Sequence, residues 1–397
     1  MNILGIETSF DETAAAVVRD GKTVLANVTA TSNLLHRKYG GVVPEVAARK
    51  QVESMIPVLT EVMQGMTPND VDAIAVTVGP GLIGSLLIGV ETAKTLAAAW
   101  NKPIIPVNHI LTHMYANFIQ TVIPTNVEGS HLTTTDVKDS SPPKADRNDN
   151  VIFPAISLVV SGGHTELYLM INTKTLKWLG GTLDDAAGEA FDKSARLLGF
   201  ENRGGIAIEE AATHYSHPDQ SASGRSVEGS LATDSGVKDS SPPKADRNDI
   251  RLPRPMLHDN SLNFSFSGLK TALLREVKKL IAEQQFDNTA TRLPARQVQQ
   301  LSFEVQEAIT DVLITKTLRA VEQHNAQSIL LSGGVAANKR LWDKFNQQLT
   351  THHLQLFAPQ RELCTDNAVM IAACAYYLNN PVPWSEVTAR PDLSVEV

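Results

Sequence analysis

The segment FPAISLVVSGGHTELYLMI, residues 153–171, consists of two apolar runs separated by a glycine turn. Short apolar runs bounded by glycine are typical of buried strands, so this segment predicts strand, turn and strand. Two other segments, VDAIAVTVGPGLIG (71–84) and QSILLSGGVAAN (327–338), also join an apolar run to a glycine turn, and a helical pattern follows each of them. Strands that alternate with helices predict an α/β fold.

The N-terminal part of the chain extends this pattern. NILGIET (2–8) predicts a first strand, and AAAVVRDGKTVLANVTA (14–30) predicts a hairpin because Asp20-Gly21 is a strong turn signal. In DDAAGEAFDKSARLLGF (184–200) the apolar residues have helical spacing. With 397 residues the chain is too long for one compact core, so two lobes are expected.

Two segments interrupt the order of strands and helices. VKDSSPPKADRND occurs at 137–149 and again at 237–249. Both copies are almost free of large apolar residues, which predicts mobile surface insertions and leaves a partner-binding role open. The predicted organisation is an N-terminal lobe, an insertion, a C-terminal lobe split by a second insertion, and a C-terminal helix and tail that pack back on the N-terminal lobe. In chain order these parts span 1–120, 121–150, 151–215, 216–250, 251–365 and 366–397.

Composition excludes several classes of protein. A hydrophobic content of 42% with 20% charged residues is that of an ordinary soluble protein. The net charge of −8 argues against indiscriminate coating of nucleic acid, although a local basic groove needs only a few Lys or Arg. No secretory leader and no run of about 18 apolar residues is visible. Cys364 and Cys374 form neither a disulfide framework nor a CxxC zinc motif, which fits a reducing cytoplasm.

Two histidines, His109 and His113, lie where an apolar strand gives way to a helical pattern in PVNHILTH (106–113). On a helix this spacing places both imidazoles on one face, where they could bind one metal ion, but a polar pair at the edge of a buried face has the same pattern. The zinc-protease motif HExxH is absent, because Ile110 follows His109. Asp366 in CTDN (364–367) offers a third ligand, and two histidines with one carboxylate suit iron or zinc.

The glycine turns favour a nucleotide cleft, because glycine lets backbone N–H groups approach an anion and a following helix adds its positive end. Tight packing of strands and helices explains any one of these turns alone. Neither a P-loop nor a dinucleotide fingerprint is present. In GIETSFDET (5–13), carboxylates and hydroxyls at the end of the first strand suit the orientation of phosphate or metal-bound water, or form an ordinary turn.

The most basic neighbourhood of the chain includes LNFSFSGLKT (262–271), in which the alternating Phe264 and Phe266 predict core packing. Its basic residues are Lys270, Arg275, Lys278, Lys279, Arg292 and Arg296. A charge run of this kind is usually a solvated face, and the alternative interpretation is contact with nucleic acid.

Nine motifs closely resemble, in order, those of the TsaD family of tRNA threonylcarbamoyladenosine transferases. The motifs are GIETSFDET, GGVVPEVAAR, GPGLIGSLLIG, NHILTH, SGGHTEL, DDAAGEAFDK, FSFSGLKT, SGGVAANKRL and CTDNAVMIA. The resemblance covers about 1–120, 151–215 and 251–380 and omits both insertions. It implies an actin-like (ASKHA) fold, in which two ribonuclease-H-like lobes enclose a nucleotide cleft.

The resemblance also implies an activity. The family moves the threonylcarbamoyl group of threonylcarbamoyl-AMP to N6 of the adenosine beside the anticodon, in tRNAs that read codons beginning with A. It implies one Fe²⁺ or Zn²⁺ per subunit and an adenine nucleotide as substrate or product. The implied partners are tRNA and TsaB-like and TsaE-like proteins, with no membrane, and the implied location is the cytoplasm.

Site residues follow from the resemblance position by position. His109, His113 and Asp366 match the metal ligands of the family. The residues that match its adenylate contacts are Val159, Val160, Ser161, Gly162, Gly163, Asp192, Gly205, Glu209 and Asn338. Asp11 and His164 are the candidates for organising the carbamoyl end of the substrate.

The chain departs from the family pattern in several places. Phe10 replaces a cysteine and is expected to pack in a slightly different core, Asn108 replaces a frequent histidine, and Arg203 replaces a common proline. The ending ARPDLSVEV (389–397) also differs from the usual RPRWPL. The rival interpretations are an actin-like kinase or ATPase with oxygen-bound Mg²⁺, a non-catalytic scaffold that would have lost the histidine pair, and an endopeptidase that would need the missing glutamate.

Overall fold

The computed structural model describes residues 1–32, 43–122, 151–200, 204–215, 250–284, 293–352 and 354–395. Almost all of the two predicted insertions lies outside these residues, including both copies of VKDSSPPKADRND. The same is true of Arg203 and Arg292. Within the described ranges, none of the helices combines the length and the apolar character needed to cross a membrane.

The strands of the described chain form two mixed sheets. Their bounds are β1 Asn2–Glu7, β2 Glu12–Arg19, β3 Thr23–Thr31, β4 Ala73–Gly79, β5 Ile104–Asn108, β6 Thr121–Val122, β7 Ala155–Val160, β8 Thr165–Met170, β9 Leu176–Gly181, β10 Ser328–Ser332 and β11 Gln355–Phe357. The first sheet has the order β5-β4-β1-β2-β3-β6 and the second the order β11-β10-β7-β8-β9. In each sheet an antiparallel hairpin adjoins parallel strands, as β2 and β4 do on either side of β1.

Helices cover both faces of the first sheet and pack on the second, which confirms the predicted α/β class. Their bounds are α1 Pro44–Val62, α2 Ile83–Trp100, α3 His109–Tyr115, α4 Ala187–Leu197, α5 Gly204–Thr213, α6 Ser267–Gln284, α7 Ala295–His324, α8 Lys339–His352 and α9 Ala368–Leu378. Since successive strand residues point to opposite faces, Leu4 packs with α1 and α2, whereas Ile3 belongs to the core of α3 and α9. Val159 of the second sheet joins that same core, so α3 and α9 lie between the two sheets.

The predicted hairpin is confirmed in detail. Strands β2 and β3 pair antiparallel, and the chain reverses at Asp20 and Gly21, whose φ angles are 53° and 64°. Positive φ at both central residues is the condition for the turn type whose twist matches the flanking strands. The other strands and helices that the sequence predicts around the glycine turns are also present.

The C-terminal tail runs along the first sheet. The Val382 amide donates to the Ile104 carbonyl oxygen over 3.0 Å, and the Arg390 amide donates to the Val78 carbonyl oxygen over 2.6 Å. The Asn108 side-chain amide donates to the Ser394 carbonyl oxygen over 3.4 Å. The tail is therefore bound where β4 and β5 end and α3 begins. The domain boundaries given above stay predictions.

Helix α9 lies against β1 so closely that a side chain at Gly5 has no space. A Cβ atom on Gly5 would lie 2.4 Å from the Ala368 carbonyl oxygen and 2.9 Å from the Ala372 amide nitrogen. Both neighbours are backbone atoms of a helix and cannot rotate away. Gly5 therefore sets the distance between the sheet and the last helix.

We expect Gly5→Ala to destabilise the folded protein by about 1–3 kcal/mol, because overpacking forces the helix and the strand apart. The free energy of unfolding from a urea titration measures this change. Gly268→Ala is the matched control, because a Cβ there meets nothing within 4 Å and alanine is the better helix former. An equal loss of stability in both variants would contradict the steric explanation.

Candidate functional site

Helix α3 positions the two histidines. The Asn108 side-chain oxygen accepts hydrogen bonds from the Ile110 amide (2.9 Å) and the Leu111 amide (3.4 Å), so Asn108 is the N-cap and the helix begins at His109. The imidazoles of His109 and His113 then face the same side, with ring centroids 4.9 Å apart. Asparagine is a strong N-cap residue. This role explains why asparagine is accommodated at position 108, where the family frequently has histidine.

The third predicted ligand lies beside them. Asp366 comes from the loop before α9, and its Oδ1 lies 3.4 Å from His109 Nε2 and 3.3 Å from His113 Nε2. One ligand atom from each of the three residues lies within 4.8 Å of the other two. The structure thus brings together His109, His113 and Asp366, although the aspartate is far away in the sequence.

The donor set fits a bound metal ion. His113 is 1% exposed, and within the described residues neither of its ring nitrogens forms a hydrogen bond. A buried imidazole without a hydrogen bond is costly, and a bound metal ion would supply a partner. Two nitrogen donors and one carboxylate oxygen are the set that suits iron or zinc rather than magnesium.

Opposite charges stabilise one another at this cluster. Burial alone lowers the pKa of His109, but the Asp366 and Glu7 carboxylates outweigh it and raise the pKa well above its usual value. Burial raises the pKa of Asp366, yet the His109 and His113 imidazoles hold it well below its usual value. The side chain of Asp366 is 24% exposed, so the cluster stays open on that side.

Of the two candidates for the carbamoyl end, His164 lies beside the cluster, and Asp11 lies in the turn between β1 and β2. Asp11 is buried, and its Oδ2 has no hydrogen-bond partner among the described residues. The His164 ring centroid is 6.4 Å from that of His109. Burial, with His109 and His113 nearby, lowers the pKa of His164 to about 4, so its imidazole is neutral near pH 7. Next to Asp11, burial and the Asp11 and Asp366 carboxylates raise the pKa of Glu12 well above its usual value.

A cleft of about 330 Å³ adjoins the cluster. Five of the predicted substrate residues line it, namely Gly162, Asp192, Gly205, Glu209 and Asn338. Val159 and Val160 are fully buried in β7 and do not line it, and Ser161 and Gly163 belong to the turn that follows β7. Thr365 lines the cleft and is covalently joined to Asp366, so the cleft and the cluster are neighbours.

Glycines shape this cleft. A Cβ on Gly162 or Gly163 would meet nothing within 4 Å, so both backbones are accessible. Gly333 in the third glycine turn has φ of 86°, and a Cβ there would lie 2.3 Å from the Val160 carbonyl oxygen. Only glycine therefore permits this close approach of the two turns. Burial raises the pKa of Asp192 and of Glu209, the two carboxyl groups of the cleft wall.

Several residues of the site were not predicted. Gly204, Gly334, Arg361 and Cys364 line the cleft, and of these Gly334 had a signal in the third glycine turn and Cys364 in CTDN, two residues before Asp366. Thr77 is fully buried, and its hydroxyl donates to Glu7 Oε2 over 2.5 Å, although it lies within an apolar strand that gave no sign of this contact.

One expectation was wrong. Phe10 was expected to pack in the core, but its side chain is 43% exposed. The residue lies in the turn between β1 and β2, and the residues on either side of it, Ser9 and Asp11, are the buried ones. By contrast, Phe264 and Phe266 are fully buried, as their alternation predicted.

Comparison with known proteins identifies the family. The family model described as "TsaD: tRNA N6-adenosine threonylcarbamoyltransferase" matches residues 23–128 and 143–373. The chain belongs to the TsaD family. The prediction made from the motifs is thereby confirmed, together with the assignment of the chain to a family of transferases.

Relatives of this TsaD-family chain match it over their whole length. A tRNA N6-adenosine threonylcarbamoyltransferase of Thermomicrobium roseum is 42% identical, with 100% of this chain and 95% of the relative covered. The enzyme of the same name from Moorella thermoacetica is 41% identical, with 99% and 96% covered. Among solved structures, T. kodakarensis HypF covers 95% of this chain and 47% of its own, with a TM-score of 0.52 and 12% identity. This likeness supports the actin-like two-lobe fold.

Proposed function

We propose that this chain transfers the threonylcarbamoyl group of threonylcarbamoyl-AMP to N6 of the anticodon-adjacent adenosine in tRNAs that read codons beginning with A. The observation that carries the proposal is the junction at Thr365 and Asp366, where a cleft of ligand size meets a cluster suited to a metal ion. If threonylcarbamoyl-AMP is bound in the cleft through its AMP part, its carbamoyl carbonyl would face the cluster of His109, His113 and Asp366.

The cleft would bind the AMP part. The accessible amides of Gly162 and Gly163 suit the phosphate, since backbone N–H groups of glycine turns bind anions. Asp192 and Glu209 are oxygen acceptors on the cleft wall and suit the ribose hydroxyls. The Asn338 side-chain amide donates to Gln306 Oε1 over 3.1 Å, and its oxygen accepts from the Leu341 amide over 3.0 Å. These two hydrogen bonds hold the Asn338 side chain in one position.

His109, His113 and Asp366 would hold the metal ion, which we propose to be Fe²⁺ or Zn²⁺. When bound, this ion would polarise the carbamoyl carbonyl as a Lewis acid. The buried and unpaired Asp11 Oδ2 is an acceptor for the carbamoyl N–H, which would fix the orientation of the group. Val159 and Val160 at the end of β7, with Ser161 directly after them, would place the glycine turn through their backbone.

The transfer forms a bond between N6 and the carbamoyl carbon and breaks the bond between that carbon and the phosphate oxygen. AMP leaves with the bonding electrons, and N6 loses one proton. The neutral imidazole of His164, close to His109, is the acceptor that we propose for this proton. The exocyclic amine of adenosine is a poor nucleophile, so positioning it would supply much of the acceleration.

The decisive experiment combines the purified chain with threonylcarbamoyl-AMP, unmodified tRNA and TsaB-like and TsaE-like proteins. Mass spectrometry of the digested tRNA is expected to show threonylcarbamoyladenosine, together with stoichiometric AMP. A parallel assay combines the chain alone with ATP, and release of phosphate there, without any modified adenosine in the first assay, would favour the rival kinase or ATPase. Absence of both modified adenosine and released phosphate would favour the non-catalytic scaffold.

A protein partner is supported by an apolar groove on the N-terminal lobe. The groove has a volume of about 570 Å³ and is lined by residues of α1 and α2. Among them Val52 and Ile56 are largely exposed. Exposed apolar side chains that line one groove suit contact with another protein. We propose that it binds the TsaB-like protein, in the cytoplasm where tRNA is modified.

Ile56→Glu is expected to weaken binding of the TsaB-like protein roughly tenfold or more, because the interface would bury an unpaired charge. Isothermal titration calorimetry of the two proteins measures the Kd. Thr175→Glu adds the same charge to an exposed position between β8 and β9, away from α1 and α2, and serves as control. Equal affinities for wild type and Ile56→Glu would exclude this groove as the binding surface.

A further inference from the structure

A buried group of polar side chains touches His109 on the edge away from Asp366. We define this Glu7 cluster as Glu7, Ser9 and Thr77, all of which are buried. His109 Nδ1 lies 3.3 Å from Glu7 Oε2 and 3.2 Å from Ser9 Oγ. The other ring nitrogen, Nε2, is the one that faces Asp366. The two edges of this imidazole therefore meet different environments.

Hydrogen bonds fix the Glu7 carboxylate. The Thr77 hydroxyl donates to Oε2 over 2.5 Å, and the Ser9 amide donates to Oε1 over 2.5 Å. Glu7 ends β1 and Thr77 lies in β4, the parallel neighbour of β1 in the sheet. A carboxylate held between two strands of a sheet is a rigid acceptor, and its position does not depend on a mobile loop.

The arrangement determines the tautomer of His109. A carboxylate is only an acceptor, so it is satisfied when Nδ1 carries the proton and donates it to Glu7. The lone pair of the neutral ring then lies on Nε2, on the side of His113 and Asp366. The opposite tautomer would set the Nδ1 lone pair against the carboxylate and would place a proton where a ligand atom is needed.

We propose that Glu7 is a positioning residue that selects Nε2 of His109 as the metal-binding atom. This inference rests on the metal role assigned under the proposed function. His113 makes a useful contrast, because neither of its ring nitrogens forms a hydrogen bond within the described residues. The orientation of the metal-binding imidazoles would therefore depend on His109. Its hydrogen-bond partner is Glu7, which strands β1 and β4 hold in place.

Glu7→Gln tests the proposal with little change of shape. The glutamine amide can donate to Nδ1 and so favours the wrong tautomer. We expect the affinity for Zn²⁺, measured by competition with a chromophoric chelator, to fall roughly 10–100-fold, the usual effect of removing the partner of a ligating histidine. Glu276→Gln makes the same chemical change on a carboxylate of α6 that pairs with Lys279, outside the metal-binding cluster, and its affinity is expected to equal that of wild type.

Nitrogen-15 NMR of the zinc-loaded protein gives a readout that a merely structural role would not change. In wild type the His109 signal is expected to show a proton on Nδ1 and zinc on Nε2. Zinc on Nδ1 in wild type would overturn the proposal, whether or not the variant folds. An unchanged zinc affinity in a folded Glu7→Gln protein would also overturn it.

The outcome is independent of the transfer reaction. If wild type binds zinc through Nε2 and Glu7→Gln binds it more weakly, the positioning role stands even when no modified adenosine forms in the assay. If wild type binds zinc as expected but has no transfer activity, this result would contradict the proposed function and leave the positioning role of Glu7 intact.

Discussion

His113→Ala is expected to release the metal ion and to lower the rate of threonylcarbamoyl transfer on the order of a thousandfold. The change removes one of three donors, and the loss of Lewis-acid activation of a carbonyl corresponds to several kcal/mol of barrier. Metal content by plasma mass spectrometry and the rate of formation of modified adenosine measure the two effects.

His258→Ala is the control for this variant, because His258 is an exposed histidine outside the cluster. It is expected to keep both metal and activity. Full activity of His113→Ala after removal of metal by a chelator would show that the cluster has no part in the reaction. Binding of AMP is expected to persist in His113→Ala, since the residue does not line the cleft.

Gly333→Ala is expected to lower the transfer rate about a hundredfold, the usual effect of misplacing a reacting group by roughly 1 Å. Its φ of 86° is unfavourable for alanine, and the new Cβ would lie 2.3 Å from the Val160 carbonyl oxygen. The third glycine turn must therefore move away from β7, and the cleft between the two turns changes shape. Affinity for AMP is expected to fall with the rate.

Gly334→Ala is the matched control for stability, because a Cβ there would meet nothing within 4 Å. Its free energy of unfolding is expected to match that of wild type. If Gly333→Ala also has the free energy of unfolding and the AMP affinity of wild type, the close approach of the two turns does not determine the shape of the cleft.

Local features of this fold could be predicted from the sequence because local rules determine them. Asp20-Gly21 turns the first hairpin through its own backbone preference, and the spacing of His109 and His113 suffices to place them on one helix face. The alternation of Phe264 and Phe266 similarly predicted burial.

Features that depend on distant contacts could not be predicted in this way. Spacing does not show that Asp366 meets His113. The residues offered Asp366 as a candidate third ligand, and the family resemblance matched it to a metal ligand. Thr77 looked like any residue of a buried strand until its hydroxyl was found on Glu7. Phe10 was misread because an apolar residue in place of the family's cysteine was expected to pack in the core. In a turn, however, the backbone conformation decides which side chain points to solvent.

The order in which a ribosome makes this chain has a consequence for the first sheet. Strand β1 precedes the second sheet in the chain, whereas helix α9, which covers one face of β1, follows the last strand of that sheet and is synthesised after it. Domains generally fold as units during synthesis, and exposed strands are prone to aggregate. The part of the first sheet that α9 covers therefore stays uncovered until α9 has been synthesised. Asp366 lies just before α9 in the chain, so the third residue of the candidate metal site is added at the same stage as the helix that completes this core.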